Sequence, residues 1–429
     1  MPGWLILMGA LTAIGPFSID MYLPAFPAIA RTLQATHGEV ERTLALYLIG
    51  LSLSQIVYGP LADRYGRKPP LCAALALYVV ASIGAALADD VHELTIWRVL
   101  QAVGSAAGVV IPRAVIRDHL DVQDSARALS SLMLIMGVAP ILAPLVGGQV
   151  LGLAGWRAIF WVMALIGAVL LFFIVRTMRE SLAPDRVVLL SWTNIGRNYG
   201  ELLRDRRFMA FALAGGLGTA GMFSYITASP RVFIEFFGVP SQLYGLLFGL
   251  NAAALITGSQ VSARVLRKRP SATVLRAALP ALAGFAVAGL ALTLAGAASL
   301  PLLMICLVGY MFSQGFVNPN AAALALADQA GRLGAASALM GTLQLGCGAV
   351  AGLLVSAWDV PSPLPLAVMR VEGGKGLSRL SFAYSYFFRG TPILAQSFLI
   401  YYGAGQFRET LTDVGLWWFF RDAFNCAVL

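Results

Sequence analysis

Charged side chains are scarce in this chain. Asp, Glu, Lys and Arg make up 12% of its 429 residues, against about 25% in an ordinary soluble domain, and that shortage excludes a water-soluble fold. Cysteine and histidine are sparser still. Cys72, Cys306, Cys347 and Cys426 stand singly in apolar runs, which excludes a CxxC pair and reads as buried free thiols. His37, His92 and His119 lie near span ends and far apart in sequence, so neither a metal site nor a cofactor is expected. No Walker loop, metal ligand set or nucleophile triad is present, and an enzyme is not expected. Met1–Trp4 has no basic residue, so the first apolar run reads as a retained span, not as a cleaved signal.

What is abundant is apolar sequence. Hydrophobic residues make up 59% of the chain and its mean hydropathy is +0.77. Segments of about 20 apolar residues cross a bilayer. The pattern predicts spans over 4–31, 43–62, 70–88, 94–117, 127–152, 157–177, 208–229, 242–264, 273–296, 300–326 and 335–357. The longest polar stretch, Arg179–Arg207, falls between spans 6 and 7. It divides the chain into a half over 1–178, a cytoplasmic linker over 179–207 and a second half over 208–358, as in transporters made of parallel repeats. The fold class expected is an all-α integral membrane protein with two six-helix halves, eleven clear spans and an atypical twelfth region.

Lys and Arg set the orientation. With the N-terminus in the cytoplasm, nineteen basic residues up to position 357 fall on the cytoplasmic side. Only Arg31, Arg42, Arg157 and Arg231 fall outside, and Arg98 stays within a span. The net charge of +9 is therefore topological and implies membrane lipid, with no nucleic-acid partner.

Three clusters carry mechanism. After span 2 the chain reads Gly59-Pro60-Leu61-Ala62-Asp63-Arg64-Tyr65-Gly66-Arg67-Lys68. Its glycines permit a tight turn with close helix approach, and its acid and bases can pair at the membrane surface. In span 4, Arg98 costs about 2.5–3.5 kcal/mol within a bilayer, so it needs a polar partner or cavity. Span 1 carries the complementary charge, Asp20, at a similar depth, and the two are expected to meet. A buried carboxyl group there can exchange a proton for a cationic or polar substrate; a static ion pair and a snorkelling arginine stay open as alternatives. In span 5, Pro140, Pro144, Gly147 and Gly148 combine helix bending with small residues that suit tight packing.

The spacing G-x-L-x-D-R-x-G-R-K resembles the signature of the major facilitator superfamily. The resemblance implies that this loop latches the two halves, with Asp63 toward the positive end of span 11 and Arg67 reaching Asp118 at the end of span 4. Span 5 is similar to the antiporter motif of drug exporters, G-P-x-x-G-G, with Ala139 and Ala143 in place of glycines. Ser18–Ala25, Gly155–Phe160, Leu203–Phe208, Phe248–Ala252, Gly258–Gln260 and Asn318–Asn320 look like the Bcr/CflA group of drug:proton antiporters. That likeness runs over about 4–357. It implies proton-coupled export of small amphipathic drugs, bicyclomycin- or amphenicol-like, from the bacterial inner membrane. The same-fold alternative is a proton-coupled metabolite or sugar transporter.

Cavity candidates are Tyr47, Gln101, Phe223, Tyr225, Asn251 and Asn318. The second half has no charged residue mid-span, and its polar residues Asn251, Gln260, Gln314, Asn318, Asn320 and Gln344 suit interhelical bonding and substrate contact equally. Beyond Trp358-Asp359 the pattern changes. Phe388-Arg389-Gly390-Thr391-Pro392 with Gln396 resembles amino-acid ABC-importer permeases over about 376–429, without the loop that docks an ATPase, so no ATPase partner is expected. A chain whose twelfth span is replaced in this way is also readable as a transport-defective remnant.

Overall fold

The computed structural model describes residues 3–120, 122–182, 192–329 and 333–357. The atypical twelfth region and the stretch over about 376–429 expected to resemble an ABC permease lie outside the described residues. Eleven helices among those described are long and apolar enough to cross a membrane. They are span 1 (Gly3–Thr32), span 2 (His37–Tyr65), span 3 (Lys68–Leu87), span 4 (Val91–His119), span 5 (Val122–Ala154) and span 6 (Trp156–Thr177). Span 7 (Arg206–Phe236), span 8 (Ser241–Val265), span 9 (Ser271–Leu294), span 10 (Leu300–Leu326) and span 11 (Leu333–Ala357) follow. All eleven expected spans are present, and the linker holds a further helix, Trp192–Arg204.

Polar caps set the helix starts, which is why several spans outrun their apolar runs. Thr36 and Glu39 form a reciprocal capping box that begins span 2 six residues before the apolar stretch. The carboxylate of Asp90 accepts from the amides of His92 and Glu93 at 2.8 Å and begins span 4. Asp205 does the same for span 7, accepting from Arg207 and Phe208. Two expectations need correction. Gly59–Tyr65 is not loop but the last turns of span 2, leaving only Gly66 and Arg67 between helices. Span 7 does not stop near 229; it runs through Pro230 into a wide π-helical turn, Arg231–Phe236.

The packing joins the two sets of spans along paired helices. Spans 2 and 11 run antiparallel: Gly38 abuts the carbonyl of Ser356, Gly352 faces Ala45, and Ser52 and Thr342 exchange hydroxyl-to-carbonyl bonds at 2.9 and 3.2 Å. Spans 5 and 8 pair likewise, with Gly245 against Leu145 and Gly249 against Ile141. At the end opposite the Gly66 turn, His37 of span 2 meets Glu235 of span 7 at 3.0 Å.

Candidate functional site

Span 1 breaks at its acid. The first helix ends at Asp20, a turn follows, and Pro24 sits in the 3-10 turn Leu23–Ala25 before helix resumes at Phe26. Proline removes a backbone donor, and irregular backbone within membrane depth is tolerated only where it is buried in protein or lines a cavity. Asp20 is 3% exposed.

Asp20 and Arg98 do not pair, contrary to the expectation that they meet. The Arg98 guanidinium is fully buried and lies between two tyrosine rings, 4.6 Å from Tyr22 and 4.2 Å from Tyr47. A desolvated cation over an aromatic face gains about 2 kcal/mol per ring, of the order of the insertion cost. Its Nη1 donates to Gln101 Oε1, and Gln101 Nε2 donates to the Ser82 hydroxyl at 2.7 Å. Nε and Nη2 of Arg98 have no hydrogen-bond partner among the described residues. Around it the hydroxyls are linked: Tyr47 with Ser105 at 2.7 Å, Tyr78 with Ser18 at 2.7 Å, and Tyr22 with Thr43 at 2.8 Å. The snorkelling alternative fails, because the side chain stays inside.

Sequence reading missed Tyr22 and Tyr78. Tyrosine in an apolar span carries no mark that separates a charge-facing ring from a packing ring. Gln101, expected at a cavity, is buried and positions Arg98 instead.

The span 5 glycines act by being small. Gly147 lies against the carbonyl of Met21, next to Asp20, and a side chain there would collide with it. At Gly148 a side chain would come within 2.8 Å of the Ser241 carbonyl at the start of span 8. Pro140 and Pro144 are both accommodated within the helix. Ala139 and Ala143, which replace motif glycines, are buried without disrupting it.

The turn after span 2 is an ionic knot. Arg67 Nε donates to Asp118 Oδ2 at 2.9 Å, as expected, and its Nη1 donates to Asp63. Burial opposes the charge on Arg67, but those bonds to Asp118 and Asp63 outweigh it and raise its pKa. Asp63 thus engages Arg67, and Arg64 occupies the last turn of span 2. Gly66 has φ +87°, and Glu180 occupies the space a side chain would need. Gly59 has open space around it, so the close approach expected there is absent.

Glu180 was not anticipated. Its carboxylate accepts from the backbone N–H groups of Arg67, Lys68, Ser181 and Leu182 at 2.8–3.1 Å. Burial disfavours its charge, yet these four donors hold its pKa below the ordinary glutamate value. The one sequence sign was an acid three residues beyond span 6, in a stretch rich in arginine.

In the second half, Tyr225 stacks on Phe248 at 5.6 Å and Phe223 packs against Gly348 of span 11. Asn251 turns its Nδ2 to the Leu247 carbonyl at 3.0 Å, and Asn318 accepts from the Thr219 hydroxyl at 3.4 Å.

Known proteins match this arrangement over most of its length. The chain is 36% identical over 352 residues to an uncharacterized MFS-type transporter, YdgK, of Bacillus subtilis (strain 168), covering 81% of this chain and 87% of that one. It is 29% identical over 369 residues to the bicyclomycin resistance protein homolog of Haemophilus influenzae, covering 85% and 91%. It is also 29% identical over 368 residues to the multidrug resistance protein MdtL of Escherichia coli O157:H7, covering 84% and 91%. Among solved structures, a D-xylose-proton symporter aligns with TM-score 0.68 at 15% identity, over 91% of this chain and 98% of that chain. The nucleoside transporter NupG aligns with TM-score 0.70 at 13% identity, over 90% and 99%. These two likenesses speak to the fold alone. The profile of the Major Facilitator Superfamily covers residues 8–352, and this chain, a multi-pass membrane transporter, belongs to that superfamily.

Proposed function

We propose that the chain exports small amphipathic drugs from the bacterial cytoplasm in exchange for protons, with its N-terminus cytoplasmic and its spans in the inner membrane. The observation that carries this reading is Asp20, a buried acid at the break in span 1, one residue before the Met21 carbonyl that Gly147 of span 5 abuts. A buried carboxyl group whose surroundings change as helices rock exchanges its proton on one side and its substrate on the other. Arg98, buried between the Tyr22 and Tyr47 rings, supplies the second buried charge of the first half. The excess of Lys and Arg on one set of loops supports the orientation. The relatives named for bicyclomycin and multidrug resistance support a drug as cargo.

The mechanical parts follow from this reading. Arg67, bound to Asp63 and Asp118, latches the cytoplasmic end in one state, with Glu180 fixing the turn. Gly147 and Gly148 seal the outer end by letting span 5 approach spans 1 and 8. Susceptibility of an efflux-deficient host to a drug panel tests the function, comparing the full chain with its Asp20→Asn variant. Protection by the parent and none by the variant is expected. No protection by the parent against any compound contradicts drug export.

A further inference from the structure

His37 and Glu235 come from opposite halves of the chain. His37 opens span 2 directly after its Thr36 cap, and Glu235 lies in the π-helical turn Arg231–Phe236 that ends span 7. His37 Nδ1 and Glu235 Oε1 are 3.0 Å apart. The next residue, Gly38, presses on the Ser356 carbonyl near the end of span 11. Two successive residues of the first half thus touch two different spans of the second, at the end away from the Gly66 turn. Single π-helical turns occur frequently at functional sites, and this one carries the acid that meets span 2.

The pair responds to protons by its chemistry. A carboxylate only accepts, so Nδ1 donates, and a proton on the second ring nitrogen turns the hydrogen bond into an ion pair. Histidine ordinarily changes charge between about pH 5 and 8. The two side chains are 39% and 27% exposed, so water at this end supplies the proton. Among the described residues, the other charged or titratable groups at this end on elements packed against span 2 are Arg31 of span 1, Glu39, Glu41 and Arg42 of span 2 itself, His92 and Glu93 of span 4, and Arg231 of span 7. Span 11 brings none, since no Asp, Glu, Lys, Arg or His occurs from 333 to 357. Carboxylates and guanidinium groups ordinarily titrate outside the histidine window, which leaves His92 as the control. Rocking of the halves opens this end only if His37 and Glu235 part. A proton on His37 strengthens a contact that exists only in the closed form, so acid favours closure.

We propose that His37 and Glu235 form a latch on the outer mouth that acid fastens, separate from the proton exchanged at Asp20. The inference goes beyond drug export and rests on that reading only for the orientation that puts this end outside. Outside acid then holds the mouth shut against compounds returning from the outer side.

The test is the distance across this mouth in the purified full chain in detergent, where both ends meet the same pH. Spin labels go on Asp89→Cys, after span 3, and Ala297→Cys, after span 9, with native cysteines replaced by serine. Asp20→Asn in the same chain removes the other proton site. Between about pH 8 and pH 5 the ratio of short to long distances should rise about two- to fivefold, the size expected of a partly exposed ion pair. His37→Gln, which keeps a donor, should flatten the response, and so should Glu235→Gln. The exchanged pair, His37→Glu with Glu235→His, should restore it, which a misfolded chain would not. His92→Gln should leave it whole. A ratio constant with pH in the Asp20→Asn chain, or a response undiminished in His37→Gln, overturns the proposal. The detergent measurement is blind to sidedness, so outside labelling of Asp89→Cys in cells reads the orientation separately: a protected site defeats the proposed orientation and leaves the latch standing.

Discussion

Gly147 of span 5 rests against the carbonyl of Met21, so the helix presses on the backbone one residue beyond Asp20. The motif whose small residues suit tight packing thus backs the break in span 1, one residue beyond the acid. Any side chain at 147 must displace either span 5 or the break in span 1.

Gly147→Val should therefore lower stability by about 1–3 kcal/mol, the range of overpacking in a close-packed site, and should abolish drug efflux. Gly59→Ala is the contrast, because open space surrounds that helical glycine. It should be neutral or stabilising by about 0.5–1 kcal/mol. Thermal unfolding of both variants in detergent, with efflux measured in parallel, checks the pair.

Arg67 bonds Asp118 and Asp63 through different nitrogens of one planar group, a geometry lysine does not reproduce. Arg67→Lys should reduce transport about tenfold while substrate binding in detergent changes less than twofold. Equal loss of binding and transport would point to misfolding in place of a lost latch.

Glu180 gives a pH dependence with a definite sign. Its folded pKa lies below the ordinary value of 4.5, since four backbone donors outweigh burial. Its contribution is fully present above pH 4.5 and is lost as pH falls through the lower folded value. Glu180→Gln should melt below the parent at pH 7, and the gap should narrow as pH drops beneath 4.5. Melting curves at a series of pH values test this, and a gap constant with pH would count against it.

Ser52 and Thr342 bond each other's carbonyls across spans 2 and 11. Transport by rocking of helix bundles requires such contacts to separate. In a chain with its native cysteines replaced by serine, Ser52→Cys with Thr342→Cys should crosslink on oxidation. Efflux should stop and should return on reduction. Full efflux by the crosslinked protein would place the moving contact elsewhere.

Much of this was legible in the sequence, for physical reasons that also mark its limits. Eleven spans could be read because bilayer thickness fixes the length of an apolar run. Asp20 and Arg98 stood out because charge in such a run is costly. The pairing of Arg67 with Asp118 came from family resemblance. What stayed hidden depends on side-chain direction. Tyr22 and Tyr47 carry no mark in sequence that they sandwich a cation, so Arg98 was assigned to Asp20. Glu180 looked like one more linker charge because its partners are backbone amides. The end of span 2 was expected at 62, where the charges after Gly59 and Pro60 signal a turn, whereas the helix continues to Tyr65.

The central claim is that Asp20 carries the exchanged proton. It is tested most directly by substrate-dependent proton flux in vesicles containing the full chain or its Asp20→Asn variant, at equal insertion. The account predicts that drug addition collapses an imposed pH gradient with the parent and leaves it untouched with Asp20→Asn. Undiminished drug-dependent proton flux in Asp20→Asn would contradict it.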